Sequence, residues 1–356
     1  VCTMKQSQSN ITTIIQRNHS LPFRGGSRRG LLFFIISFFF CVQLHAGNIL
    51  PVDSTVRHGV LDNGLTYYIC PNKYPEGRAE FYLLQQVGSI LEEENQRGLA
   101  HFLEHMAFNG TKNFPGKSLI TYLENNGIRF GNDINAYTGF DETVYNISNV
   151  PITRTGIVDS CLLILHDWGG FITLDGREID AERKVIHAEW RSKQGERDRI
   201  YEQTLPKLFP DSNRYGRRMP IGLMSVVDNF PHKVLRDYYH KWYRPDLQAV
   251  VVAGDIDADD VEKRIKTIWS DTPLRKNPAK RPHITVADNA TPIVAIGSDA
   301  ELSGTTLRLS FKYDPQPREV SLTFEGKKDE YLRNMIVTML NARMADLMAT
   351  GSVRQG

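Results

Sequence analysis

Cysteine is scarce in this chain: four in 356 residues, at Cys2, Cys41, Cys70 and Cys161. None of these spacings suits a zinc knuckle or ribbon, and four cysteines in a chain this long exclude a disulfide scaffold. A net charge of one sign is missing too. Forty-three Lys and Arg stand against 41 Asp and Glu, so no basic surface for nucleic acid and no acidic disordered tail is expected. Acidic residues are absent altogether from 1–52, which hold Lys5, Arg17, Arg24, Arg28 and Arg29. The one long apolar run, residues 31–42, is too short to span a membrane with confidence.

A basic flank, a short Phe-rich core and a small residue at Ala46 describe a secretory signal over residues 1–46, cleaved after Ala46. A mitochondrial leader would be amphipathic, Ser27-Arg28-Arg29 only touches a twin-arginine pattern, and an uncleaved anchor stays open. Export permits a disulfide between Cys70 and Cys161, but both read equally well as buried thiols.

What is present is concentrated in His101-Phe102-Leu103-Glu104-His105. Histidines four apart on a helix share a face, so both imidazoles can reach one metal ion. Glu104 lies on a neighbouring part of that face, where its carboxylate suits a general base for a zinc-activated water. Leu99, Phe102, Leu103 and Met106 supply an apolar stripe at helical spacing. A catalytic zinc needs a third protein ligand. Downstream, the charged helix expected over 178–197 carries Glu182 and Glu189, two turns apart on one face. One could bind metal while the other orients a ligand. Beyond the leader, the remaining histidines His58, His166, His187, His232, His240 and His283 lack ligand spacing and read as structural or surface residues.

Together these residues resemble the pitrilysin-type zinc metallopeptidases, the inverzincins, whose His-x-x-Glu-His order is reversed from the common zincin motif. Asn135-Ala136-Tyr137-Thr138, followed by Asp141, Thr143 and Tyr145, is similar to a substrate-side strand pair of that family. Residues 242–246, Trp-Tyr-Arg-Pro-Asp, running into 249–256, resemble the closing strand of its first domain. The resemblance spans about residues 53–270. It implies zinc on His101, His105 and Glu189, Glu104 as base, Glu182 as auxiliary acid, and Asn135 and Ala136 binding a peptide substrate as an added strand. The interval from His105 to Glu189 is longer than in the best-known members, which keeps Glu182 as a rival third ligand.

The expected fold class is α+β, a mixed, mainly antiparallel sheet packed against helices. Strands are expected at 56–61 and 65–70 around the turn Asp62-Asn63-Gly64, at 79–87, 131–137 and 142–150, and, fully buried, at 248–253. Helices are expected at 116–126, 153–172 with an interruption near Gly169-Gly170, 232–242 and 258–269, with loop and short helix from 198 to about 220. The domain reading is a catalytic domain over 47–272 and a linker over 273–290. Residues 291–356, with strands at 293–296 and 305–313 and a helix at 320–348, then resemble the start of a second homologous domain that breaks off early. The resemblance implies a C-terminal half or partner subunit to complete the substrate chamber. The leader at 1–46 points to an exported, periplasmic location in a Gram-negative bacterium, with no membrane contact beyond the signal segment. A non-catalytic partner half is the alternative reading.

Overall fold

Alternation of apolar and polar residues along 78–85 puts Ala79, Phe81, Leu83 and Gln85 on one face of a strand and Glu80, Tyr82 and Leu84 on the other. In the computed structural model, which describes residues 49–51, 53–209, 213–313 and 316–350, that strand lies inside a six-stranded sheet. Its members are β1 (Arg57–Val60), β2 (Thr66–Pro71), β3 (Arg78–Gln85), β4 (Ile134–Thr138), β5 (Thr143–Pro151) and β6 (Gln248–Gly254). They lie in the order β1-β2-β6-β3-β5-β4. Only β2 and β6 run parallel; the other neighbours are antiparallel. The α+β expectation therefore holds. The signal segment at 1–46 falls outside the described residues.

The described residues fall into two compact units, one over Asp53–Gly304 and the other joining those before residue 53 to those from Thr305 onward. In the larger unit, β1 and β2 are joined through Gly64, whose φ of +90° is a conformation that glycine adopts without strain. Asn63 beside it donates to the carbonyls of Trp269 and Thr272. The helices are α1 (Leu99–Met106), α2 (Ser118–Asn125), α3 (Ile157–Gly170), α4 (Gly176–Ser192), α5 (Glu196–Leu208), α6 (Met224–Val227), α7 (His232–Trp242) and α8 (Ala258–Ile268). The core is formed by buried side chains such as Phe81, Leu83, Ile147, Leu165, Trp168, Val250 and Ile265. Cys161 is buried and Cys70 half-buried, and both are free thiols.

The elements differ from expectation in five places. Strand β6 is not fully buried: Ala249, Val251 and Ala253 alternate as half-buried positions, because only one face of the strand packs into the core. Helix α3 is continuous and simply ends at Gly170. The helix expected over 178–197 stops at Ser192. A second helix, α5, then starts from Gly195 and runs through residues expected to be mostly loop. Glycine's poor helix propensity breaks the run, and Glu196 and Asp198 in the next first turn favour a new N-terminus. Residues 293–296 and 305–313 form no strand. Their alternating pattern needs a hydrogen-bonded neighbour to become a ladder, and Val294, Ile296, Leu307 and Leu309 are strongly exposed.

The smaller unit contains α9 (Arg318–Ser321) and α10 (Phe324–Ala349). Ile49 bridges Thr323, and the Leu50 amide donates to the Leu322 carbonyl. No helix among the described residues is long and apolar enough to cross a membrane.

Candidate metal centre

Helix α1 is only eight residues long, too short to be stable from propensity alone, so its surroundings must hold it. Gly98 precedes it with φ of +106°. The Glu92 carboxyl receives the first amides, Gly98 N at 3.0 Å and Ala100 N at 2.8 Å, an N-terminal cap supplied from outside the helix. Phe102 and Leu103 are buried, and Phe102 meets Phe230 edge to face at 4.9 Å. The far end is tied down by the Trp168 indole, which donates to the Ala107 carbonyl at 2.9 Å.

Phe230 also links α1 to α4. The Arg183 guanidinium of α4 lies 4.0 Å over its ring and donates to the Val227 and Phe230 carbonyls. Asp175 caps the start of α4. Two helices distant in sequence are thereby fixed side by side, which brings Glu182 and Glu189 to the two histidines.

The geometry separates the two glutamates. His101 Nε2 and His105 Nε2 are 3.2 Å apart, and Glu189 Oε2 lies 3.2 Å from His105 Nε2 and 3.6 Å from His101 Nε2. Ligands at zinc's usual distance of about 2.0–2.1 Å, arranged tetrahedrally, sit about 3.3 Å from each other. These three donors have the separations of three tetrahedral corners round one ion. Among the described residues, they form the one His/Cys/Asp/Glu group close enough to hold a metal. Glu182 instead meets the other ring nitrogen, with Oε1 2.8 Å from His105 Nδ1. Its second oxygen accepts from Asn109 Nδ2 at 2.5 Å.

The electrostatics of the three donors agree with that grouping. Burial and the neighbouring His105 push His101 down to about 4, so it stays neutral with a lone pair to offer. Burial also opposes a charge on His105, but hydrogen bonds to Glu182 and Glu189 outweigh it and raise the group to about 9. Glu189 is depressed to about 2, chiefly by its hydrogen bond with His105, against the cost of burial. A site that holds a proton between two carboxylates has the field to hold a cation there instead.

Glu104 is buried, and its Oε2 accepts the Thr138 hydroxyl at 2.6 Å. Burial raises its pKa while that hydrogen bond lowers it, and the net direction is upward, toward the range useful to a base near neutrality. Thr138 ends β4, the outermost strand on this side of the sheet, which also carries the exposed Asn135 and the half-buried Ala136. Asn135 Nδ2 donates to the Asn132 carbonyl. The other described histidines lie apart from this group. His166 is buried against Asp271, and His187 faces Asp228.

Asn109, Lys117, Thr138, Glu92 and Lys193 all act on this centre without having been singled out from sequence for such a role. Lys117 bonds the Asn109 carbonyl oxygen, and Lys193 bonds the second oxygen of Glu189. Asn109, one helical turn beyond His105, and Thr138, in the strand motif at 135–138, had a positional signal but no signal for these roles.

The comparisons agree with the resemblance. The family described as Insulinase (Peptidase family M16) matches residues 68–219, and the Peptidase M16 inactive domain matches residues 229–346. The chain is 40% identical over 240 residues to the probable zinc protease PqqL of Escherichia coli (strain K12), covering 67% of this chain and 26% of that protein. It is 32% identical over 319 residues to the protein of the same name in Haemophilus influenzae, covering 88% and 34%. The crystal structure of the first half of the periplasmic protease PqqL from Escherichia coli aligns with a TM-score of 0.64 at 39% identity, covering 68% of this chain and 51% of that one. The chain thus spans about a quarter to a third of the length of these curated relatives. Relatives named as zinc proteases support a peptidase with a zinc cofactor in the family. By these matches the chain belongs to the M16 peptidases, the insulinase or pitrilysin-type family.

Proposed function

We propose that this chain carries the zinc centre of an exported metalloendopeptidase that cleaves peptides or unfolded polypeptides. The observation that supports it most is the tetrahedral spacing of His101 Nε2, His105 Nε2 and Glu189 Oε2, with the Glu104 carboxyl buried beside them. His101, His105 and Glu189 would hold the ion, and Glu182 would orient His105 from its far nitrogen. When bound, zinc supplies Lewis acidity, which makes water nucleophilic near neutral pH and polarises a carbonyl. Glu104 is the base that takes the proton from the attacking water and returns it to the leaving amine. Thr138 keeps one Glu104 oxygen occupied, so the other is the one free to carry that proton.

The substrate would lie along the outer edge of β4, exchanging main-chain hydrogen bonds near Asn135 and Ala136. Residues 291–356 read as the start of a second homologous domain after a linker at 273–290. The match of residues 229–346 to the M16 inactive domain begins within the first domain and runs through that linker. A C-terminal half or partner subunit would complete the chamber, so turnover belongs to the whole protein. Periplasmic export is supported by the basic and apolar leader at 1–46 and by the likeness to a periplasmic protease.

The test is zinc stoichiometry on the purified chain and its Glu189→Ala and Glu182→Ala variants, beside cleavage of a quenched unstructured peptide by the completed protein. One zinc per chain, lost with Glu189→Ala and retained with Glu182→Ala, supports the ligand set. A folded chain that takes up no zinc would favour a non-catalytic partner half.

A further inference from the structure

Glu182 is held from behind, and the group that holds it lies on the same helix end as His105. Asn109 is buried just past the end of α1, its backbone amide bonded to the Met106 carbonyl at 3.0 Å. Its side-chain amide spans two charges. Nδ2 donates to Glu182 Oε2 at 2.5 Å, and Oδ1 accepts from the Lys117 ammonium, which reaches in from the start of α2. Only one orientation of the amide satisfies both neighbours, since an ammonium has no acceptor and a carboxylate no donor. The chain Lys117–Asn109–Glu182–His105 therefore has one donor arrangement: Lys117 donates to Asn109, and Asn109 and the His105 Nδ1–H both donate to Glu182. With Oε2 engaged, Glu182 is left with Oε1 for His105 Nδ1 at 2.8 Å, and His105 Nε2 is left facing His101 and Glu189.

Resting on the zinc reading above, we propose that Asn109, anchored by Lys117, is a positioning residue of the metal centre. It fixes the Glu182 carboxylate so that His105 presents Nε2 to the ion. Losing the hydrogen bond between a ligand and its orienting group typically costs about 10–100-fold in metal affinity, and Asn109 acts on that bond through Glu182. A purely structural role predicts something else. If the amide only closed the last turn of α1, the near-isosteric Asn109→Asp would preserve it and leave zinc affinity alone. As a positioning residue, Asn109→Asp replaces the donor with a carboxylate facing Glu182 and should be at least as damaging as Asn109→Ala.

The experiment measures zinc dissociation by chelator competition for the full chain and for Asn109→Ala, Asn109→Asp and Lys117→Met. In parallel, the His105 Nδ1–H proton of the metal-free proteins is followed by NMR. Zinc affinity should weaken about 10–100-fold in both Asn109 variants, and less, in the same direction, in Lys117→Met. The Nδ1–H signal should be protected in the unmodified chain and lost to solvent exchange in Asn109→Ala. Unchanged affinity and unchanged protection in folded variants would overturn the inference. If both Asn109 variants fail to fold, Lys117→Met, a change at an exposed residue, decides by the same readouts. An unmodified chain that binds no zinc would defeat the proposed function, and the metal-free Nδ1–H signal would still decide the role of Asn109.

Discussion

Thr138 donates its hydroxyl to Glu104 at 2.6 Å, so a hydrogen bond joins the sheet's edge strand to helix α1 at the proposed base. The bond favours the charged carboxylate and opposes the burial that raises its pKa. Thr138→Val keeps the shape and removes the donor. A hydrogen bond to a charged group is worth about 1.5–3 kcal/mol, so loss of activity by about tenfold or more is expected at neutral pH. The sign of the pH effect follows from the same bond. Without it Glu104 binds its proton more tightly, and the acidic limb of the kcat/KM profile should move to higher pH. An acidic limb that stays in place would dissociate Thr138 from the base.

Glu104→Gln separates base from ligand. A glutamine retains the volume but cannot accept a proton, so turnover should fall by about 10²–10⁴-fold, the usual contribution of general base catalysis. Zinc content should be unchanged, since the three proposed donors are His101, His105 and Glu189. Substantial cleavage by this variant would remove Glu104 from the mechanism.

The sequence made some of this geometry legible and left some of it hidden, for physical reasons. The His101/Glu104/His105 constellation is readable because helical spacing alone sets which side chains meet. The same rule could not separate Glu182 from Glu189: seven residues apart, they share a face whichever one touches the ion. What divides them is the placement of α4 against α1, fixed by Arg183 and Phe230, contacts more than forty residues apart in the chain. Asn109 and Thr138 were hidden likewise, since their partners come from other elements. The apolar alternation in 293–296 and 305–313 is real, but no strand forms there without a neighbour to pair with. The helix break at 193–195 turned on a single glycine in a strongly helical run.

Glu92 ties stability to pH. Fully buried under the start of α1, its carboxyl is pushed up by burial to about 8, against the amides of Ala100 and Gly98 and the charges of Arg218 and Arg97. The folded state therefore keeps this proton at pH values where the unfolded chain has released it. The corresponding stability is fully present below the unfolded value near 4.5 and is lost as pH rises toward about 8. Glu92→Gln cannot ionise. The stability of the unmodified chain relative to this variant should therefore fall between pH 5 and 8, by about 1.4 kcal/mol per pH unit at most. Urea unfolding at pH 5, 6.5 and 8 measures it; a constant difference would mean that Glu92 is ionised throughout.

Phe102 couples the core to the metal centre. It is fully buried beside His101 and packs on Phe230, the ring that Arg183 uses to hold α4. Phe102→Ala removes that contact and leaves a cavity, at a cost of about 3–5 kcal/mol in unfolding free energy. Because the proposed ligands come from separate elements, α1 and α4, zinc should bind the folded chain and not the unfolded one. At 100 times its dissociation constant it should then return about 2.7 kcal/mol. The melting temperature of Phe102→Ala should therefore drop, recover in part with zinc, and fall again on chelation. The recovery should vanish in a Phe102→Ala, Glu189→Ala double variant, which keeps the cavity and loses a ligand. Equal recovery in the double variant would place the zinc that stabilises the chain somewhere other than His101, His105 and Glu189.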